Sequence, residues 1–324
     1  MKLDTPQILK LLGLLILISV PLSGVEFYTE LVGKAIIFGI FAMSLDLLVG
    51  YTGLVSFGHA AYFGIAAYCA ALMSPKYSAA SLWLTLPSSI LISALAAFII
   101  GIFALRTKGI YFIMVTLAFA QLVYFIFHDT PLGGGSDGIY LNVKPSSEIL
   151  GVTPFDLSNH DHMYYFILGM MILVYLFLKK VLESPFGRVL VGIKSNEHRM
   201  QSLGYTTFNY KLAAFSIAGG LGGLAGYLYA SMFGFVTPEL LSWHQSGNVL
   251  LMVILGGMGS LIAALAGSFA FIFMQEMFSS VTKHWQLVMG LVIVGAVLFM
   301  PGGLAALPNR LKKLLQNEES SNEK

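Results

Sequence analysis

The chain has 324 residues, of which 57% are hydrophobic and only 10% are charged, and its formal net charge is +2. A water-soluble domain carries about a quarter of its residues as charged side chains, so this composition excludes a soluble protein and predicts an integral membrane protein. The small net charge gives no electrostatic basis for a nucleic-acid partner, and the single cysteine, Cys69, excludes a disulfide within the chain.

A helix that crosses the hydrocarbon core of a bilayer needs roughly 20 apolar residues. Apolar windows recur along the sequence at residues 9–24, 33–50, 54–73, 82–105, 109–128, 163–181, 211–233, 246–258, 260–278 and 285–300. They predict an all-α fold, a polytopic transmembrane helical bundle of about ten spans. Breaks at residues 51–53 and 256–259 contain glycine and separate windows that nearly touch, so either break could belong to a discontinuous or re-entrant helix.

The first window fits two descriptions. Basic residues before an apolar run, with small residues at Ser23 and Gly24, also occur in secretory signals. We favour a retained first helix with a cytoplasmic N-terminus, which has the same pattern. The predicted transmembrane permease domain is 1–310, and the remaining residues 311–324 form a polar segment that predicts a disordered cytoplasmic tail.

Lysine and arginine predict the sidedness of the chain. Six basic residues lie between Lys179 and Lys211, whereas the loop 129–162 holds one, Lys144, against five acidic residues. The positive-inside rule therefore predicts that 183–210 is a cytoplasmic loop and that 129–162 is extracytoplasmic. An even number of spans then places both termini in the cytoplasm.

The cytoplasmic loop contains a patterned polar segment from Ser184 to Gly204. Ser184 and Pro185 are typical of a helix start, and apolar residues follow at helical spacing at Val189, Leu190 and Ile193. Asn196 can cap a second helix that stops at Gly204. The pattern predicts a short helix-turn-helix at the membrane surface, which either rests on lipid headgroups or docks onto a partner.

Ionisable and polar residues inside the apolar windows are candidate pathway residues. Asp46 lies deep in the second window, and His59 follows the first glycine break. Gln121, Gln275 and Glu276 complete the set. Each also has a structural interpretation, because an interhelical hydrogen bond or a loosened backbone can use the same side chain.

Two overlapping GxxxG patterns, Gly219 with Gly223 and Gly222 with Gly226, predict close helix packing within this chain or against a partner permease.

The outer loop contains histidines that could suggest a metal site. They are His160 and His162 beside Asp161, with His128 and Asp129 at the other end of the loop. Histidines two residues apart do not share a helix face, so we predict no metal site and attribute these residues to loop solubility.

Five stretches resemble the branched-chain amino acid ABC transporter permeases, in particular the M-type subunit. They are SPFGRVLVGIKSNEHRMQSLGYTTFNYKLAAFSIAGGLGGLAGYLYA (184–230), GYTGLVSFGHAAYFGIAAY (50–68), GIYFIMVTLAFAQ (109–121), GGGSDGI (133–139) and GGMGSLIAALAG (256–267). Together they span nearly the whole chain in the order that the family has.

The resemblance implies a coupling loop that fits a groove on an ATP-hydrolysing subunit. The residues it assigns to this contact are Gly187, Arg188, Ile193, Asn196, Glu197 and Gly204. It also implies a second homologous permease, two ATP-binding subunits and an extracytoplasmic solute-binding protein, assembled in the lipid of a bacterial cytoplasmic membrane. The mechanism it implies is alternating access, with a branched-chain amino acid as the solute.

The sequence contains no GxxxxGK[ST] motif. This chain therefore has no phosphate-binding loop of that kind, and we predict that it is not an enzyme, needs no cofactor and relies on ATP hydrolysis by separate subunits.

The sequence departs from the family pattern at two places. Arg199 and Met200 stand where the family usually has two small residues, which puts the detailed fit to the ATPase in doubt. Ala263 and Ala264 replace its usual Gly-Pro and change how sharply the following helix starts.

Three alternatives remain open at this point. Urea permeases share these motifs, so urea or another small solute could be transported. A secondary transporter could instead be driven by protons through Asp46, His59 and Glu276. A channel would pass solute without an energy source.

Overall fold

The computed structural model of the protein describes residues 5–75, 77–148, 154–300 and 302–304. The helices are α1 (Thr5–Ser19), α2 (Glu26–Val49), α3 (His59–Met73), α4 (Leu82–Ala104), α5 (Ile110–Asp129), α6 (His160–Glu183), α7 (Pro185–Ser195), α8 (Glu197–Ser202), α9 (Thr207–Phe233), α10 (Trp243–Gly256), α11 (Leu261–Val281) and α12 (Trp285–Phe299). Strands β1 (Ile139–Tyr140) and β2 (Phe235–Val236) pair antiparallel. The chain is thus mostly helical, as predicted, apart from this two-stranded ribbon. The predicted tail, 311–324, lies outside the described residues.

The number of full-length spans is smaller than the number of apolar windows. Within the described ranges, six helices are long and apolar enough to cross a membrane, namely α2, α4, α5, α6, α9 and α11. By contrast, α3 and α12 have 15 residues each and α10 has 14. At 1.5 Å per residue such helices are about 21 to 23 Å long, which is less than a hydrocarbon core of about 30 Å. The predicted count of about ten spans is therefore not confirmed, although every window coincides with one helix.

Helix α2 forms the centre of the bundle. Its side chains from Ala35 to Leu48 are at most 5% exposed, and it packs against α6, α9, α10 and α11. Because α2 is apolar on every face, each face can be buried against a neighbouring helix. The outer helices α4 and α5 instead expose many large apolar side chains, which are available to lipid or to a partner subunit.

The GxxxG patterns of α9 allow close packing within this chain. A Cβ atom at Gly219 would overlap Ala97 of α4, and one at Gly226 would overlap the backbone carbonyl of Phe63 in α3. Ser93 of α4 strengthens the contact by donating to the carbonyl of Gly219 at 2.9 Å. The structure thus places these glycines between α9 and its neighbours α3 and α4.

The loops gather at two opposite ends of the bundle. The basic end holds α7, α8 and the α4–α5 loop, where Lys108 lies 3.9 Å from Glu197. The acidic end holds the described part of the loop 129–162 and the ribbon of β1 and β2. This separation agrees with the prediction that the basic and acidic loops lie on opposite sides of the membrane. The assignment of the basic end to the cytoplasm stays a prediction.

One discontinuous segment of the bundle lies before α10. After α9 ends at the ribbon, a 3-10 helix at Pro238–Leu241 packs against α3 and α5. Leu241 is buried there, where a side chain at Gly64 in the middle of α3 would collide with it. The two glycine breaks that the sequence singled out begin at the basic end, where the amide of Gly259 reaches Asp46 at the end of α2. The second break is a turn between α10 and α11. After the first break the chain continues as an irregular segment, 53–58, in which the amide of Phe57 donates to the hydroxyl of Thr116 in α5 at 3.2 Å, so the first break fits the expected discontinuity.

Candidate functional site

The segment from Ser184 to Gly204 folds as the predicted helix-turn-helix. The hydroxyl of Ser184 accepts from the amide of Gly187 at 3.5 Å, and Asn196 accepts from the amide of Arg199 at 2.9 Å. Gly204 ends the unit with a φ of 87°, a conformation that favours glycine. We call α7 and α8 together the surface handle.

The handle does not present all six predicted contact residues to solution. Arg188, Asn196 and Gly204 are exposed, and Glu197 is partly buried. Gly187 is buried against the backbone of Leu182, and Ile193 is only 4% exposed. Gly187 and Ile193 therefore attach the handle to the membrane helices and do not lie on its outer surface.

The outer surface of the handle also carries apolar side chains that sequence reasoning missed. Val191 is 48% exposed and Leu203 is 66% exposed. Tyr205 and Phe208, just before and within the start of α9, are also exposed. Exposed apolar side chains on short helices at a membrane surface are available to lipid or to a partner protein.

Glu197 ties the handle to α9. Its Oε1 atom accepts from Lys211 at 2.6 Å and from the hydroxyl of Thr207 at 3.0 Å. Lys211 is only 6% exposed. Partial burial alone would raise the pKa of the Glu197 carboxyl, but the hydrogen bonds and charges of Lys211, Thr207 and Lys108 outweigh it, so this pKa lies below its ordinary value. The carboxylate therefore compensates a buried cation.

A second connection runs from the handle to the end of α2. The ammonium of Lys194 donates to the carbonyl of Gly50 at 2.5 Å. Gly50 packs against Asp46, whose Oδ1 accepts from the amide of Gly259 at 2.8 Å. One continuous set of contacts thus joins the handle to the turn between α10 and α11.

The structure places Asp46 and His59 in fully buried positions. Asp46 is 0% exposed and holds the α10–α11 turn. His59 is also 0% exposed, and its Nε2 lies 2.9 Å from the hydroxyl of Ser44 while its ring stacks on Phe41. Neither residue lines the large cavity described next, so their proposed place in a pathway gains no support from the geometry.

A cavity of about 780 Å³ opens between α2, α5, α10, α11, α12 and the segment before α10. Gln121 and Gln275, two of the predicted polar residues, line it. The first turn of α10, from Trp243 to Gln245, forms another part of its wall. A small solute fits the volume of this cavity.

Lys34 is a cavity residue that sequence reasoning missed. It lies on α2 and lines the cavity, and the charge of Glu276 acts on it. The signal was available, because Lys34 falls inside the second apolar window just as Asp46 does. A lysine near the start of an apolar window is also typical of a residue that flanks a membrane span.

His160 and His162 lie in the first turn of α6, whereas His128 lies at the end of α5. Asn159 caps this helix by accepting from the amide of Asp161 at 2.9 Å. Within the described ranges, no group of three or more His, Cys, Asp and Glu side chains could hold a metal ion.

Comparison with known proteins relates nearly the whole chain to one family. Residues 27–299 match the family described as branched-chain amino acid transport system, permease component. The high-affinity branched-chain amino acid transport system permease protein LivM of Salmonella typhimurium is 30% identical over 305 residues, which cover 88% of this chain and 71% of the relative. LivM of Escherichia coli K12 is 30% identical over 298 residues, or 86% and 70% of the two chains.

A more distant similarity is limited to part of the chain. The autoinducer 2 import system permease protein LsrC of Photorhabdus laumondii is 30% identical over 105 residues, which cover 31% of this chain and 32% of the relative. No solved structure matches.

Proposed function

Because this chain belongs to the family of branched-chain amino acid transport system permease components, we propose that it forms the translocation pathway for a branched-chain amino acid in an ATP-driven importer. It is a multi-pass membrane protein, and the membrane is taken to be the bacterial cytoplasmic membrane. The observation that carries the proposal is the similarity to LivM over 88% of the chain. The partners are a second homologous permease, two ATP-binding subunits and an extracytoplasmic solute-binding protein.

The geometry of the handle supports coupling to an ATPase. Its exposed surface is available to a partner, while Glu197 and Lys194 fasten it to α9 and to the end of α2. A push on such a fixed unit is transmitted as a rigid-body movement, whereas a flexible loop would absorb it. A cavity of about 280 Å³ between the handle and residues 52–55 and 107–113 leaves room for this movement.

The movement reaches the large cavity through α10. The hydrogen bond from Gly259 to Asp46 fixes the turn at the basic end of α10 to the end of α2, so a movement of α2 would move α10 with it. At the other end of α10, Ser246 accepts from the amide of Ala60 at 2.9 Å, which links it to the start of α3. A shift of α10 would therefore change the wall of the cavity, and the side from which the solute can enter would change with it.

The proposal is tested by reconstituting the complete transporter in proteoliposomes. We expect uptake of radiolabelled leucine, isoleucine or valine that requires ATP and the solute-binding protein and that persists when the proton gradient is dissipated. Uptake of urea without uptake of any branched-chain amino acid would contradict the proposed substrate class. Uptake by this chain without ATPase subunits, lost when the proton gradient collapses, would contradict the mechanism.

Variants of Asp46 distinguish ATP-driven uptake from proton-coupled uptake. Asp46→Asn retains an oxygen that can accept from Gly259, so we expect at least half of the wild-type ATP-driven uptake. Asp46→Leu leaves a partly buried amide unpaired, which costs about 1 to 3 kcal/mol, and uptake should be largely lost. Both variants are measured for uptake and for thermal unfolding in detergent. An Asp46→Asn protein that is folded but inactive would favour proton coupling instead.

A further inference from the structure

The ammonium of Lys34 lies at the large cavity without a fixed partner. Within the described part of the chain, its Nζ atom takes part in no hydrogen bond or ion pair, and Glu276 acts on it only through the field of its charge. The flanking residues Gly33 and Ala35 are buried. A lysine at this depth is costly for a membrane protein, and such residues typically mark the path of a solute or ion.

The rest of the cavity wall matches a small amphipathic solute. Apolar side chains of α2, α10 and α11 line it, among them Phe38, Leu251 and Phe271. Glu239 also lines it, and its carboxylate has no hydrogen-bond or ion-pair partner among the described residues. Positive, negative and apolar surfaces in one cavity suit a zwitterion with an aliphatic side chain. Urea could hydrogen-bond to the two charged side chains, but it is uncharged and has no apolar part, so it would leave the apolar wall without a partner and form no ion pair.

We propose that Lys34 binds the carboxylate of the amino acid in transit and so determines the specificity of this cavity. The inference rests on the proposed function. The first turn of α10 lies on the same cavity and adds the partial positive charge of a helix N-terminus. The nearby acidic residues Glu239 and Glu276 oppose a solute of net negative charge, so the site favours a zwitterion over a simple carboxylic acid.

The test uses the reconstituted transporter with its binding protein and ATPase subunits. We expect Lys34→Gln to lower the maximal rate of leucine uptake by about tenfold, since a charge-assisted hydrogen bond is lost. Lys34→Arg should retain at least half of the uptake. ATP hydrolysis stimulated by the binding protein should stay within about twofold of wild type in both variants, because neither contacts the handle. Equal uptake by Lys34→Gln and wild type would overturn the proposal.

Chemical rescue provides a second readout that does not depend on how each variant packs. Lys34→Cys is prepared in a Cys69→Ser background, with the cysteines of the partner subunits replaced. An aminoethyl thiosulfonate reagent, which restores an ammonium, should recover leucine uptake, whereas a neutral methyl reagent should not. Recovery with both reagents, or with neither, would overturn the role of the charge. If wild-type transporter moves no branched-chain amino acid, the proposed function itself has failed, and this is known before any variant is measured.

Discussion

Replacing Glu197 by alanine should both destabilise the protein and stop ATP-driven uptake. The change leaves the ammonium of Lys211, which is 6% exposed, without its carboxylate partner. An uncompensated buried charge costs about 3 kcal/mol or more. The substitution also detaches the handle from α9, so we expect leucine uptake below about a tenth of wild type. A tenfold loss corresponds to about 1.4 kcal/mol of coupling free energy. Thermal unfolding in detergent and proteoliposome uptake measure the two effects.

Two controls separate this explanation from a general effect of lost charge. Glu183→Ala removes a carboxylate at the same end whose ion pair with Lys179 is exposed, at 3.9 Å, and exposed pairs contribute little. It should behave as wild type. The double variant Glu197→Ala with Lys211→Met removes both charges and should unfold at a higher temperature than Glu197→Ala alone. If the single and double variants are equally unstable, the buried cation is not the cause.

The same contact gives a pH dependence with a defined sign. Because the pKa of Glu197 in the folded protein lies below its ordinary value of 4.5, the carboxylate stabilises the fold above that pH. The stabilisation is lost as the pH falls through the lowered pKa. The difference in unfolding free energy between wild type and Glu197→Gln should therefore be full at neutral pH and shrink in acid below 4.5. A constant difference across this range would contradict the assignment.

Gly226→Leu should prevent stable packing of α9 against α3. Even a Cβ atom at Gly226 would overlap the carbonyl of Phe63, and the backbone cannot rotate away as a side chain could. Overpacking of this kind costs about 1 to 3 kcal/mol for small additions, and leucine adds much more volume. We expect little folded protein after membrane extraction, measured by size-exclusion chromatography.

The matched control is a glycine in another membrane helix. A Cβ atom at Gly169 of α6 would have no neighbour within 4 Å. Gly169→Ala should leave the fold intact and add up to about 1 kcal/mol through helix propensity. If Gly226→Ala and Gly169→Ala have the same thermal stability, the close contact between α9 and α3 is not needed.

The sequence predicted the features that local chemistry controls. Apolar windows located the helices because a bilayer demands long apolar runs. Ser184, Asn196 and Gly204 identified the limits of α7 and α8 because capping involves only neighbouring residues. The resemblance to a permease family then gave the handle its expected partner, and the comparisons confirmed the family.

Features that depend on distant contacts could not be predicted in the same way. The bond between Asp46 and Gly259 joins residues 213 positions apart, and nothing near Asp46 indicates that partner. The depth at which α10 begins depends on how Leu241 packs against Gly64. The inward orientation of Ile193 could not be predicted, because it depends on which face of α7 contacts the membrane helices. Each of these is set by tertiary packing, which periodicity does not describe.

The central position of α2 has a consequence for biosynthesis. This helix emerges early from the ribosome, yet α9, α10 and α11, which enclose it, are made only after residue 207. During that interval Lys34 and Asp46 would lack these neighbours, and an ionisable side chain that faces lipid costs up to about 2.5 to 3.5 kcal/mol, the value for a helix centre. We therefore expect α2 to stay beside the insertion machinery until its later neighbours arrive. A chain truncated before Thr207 should be recognised and degraded by membrane quality-control proteases.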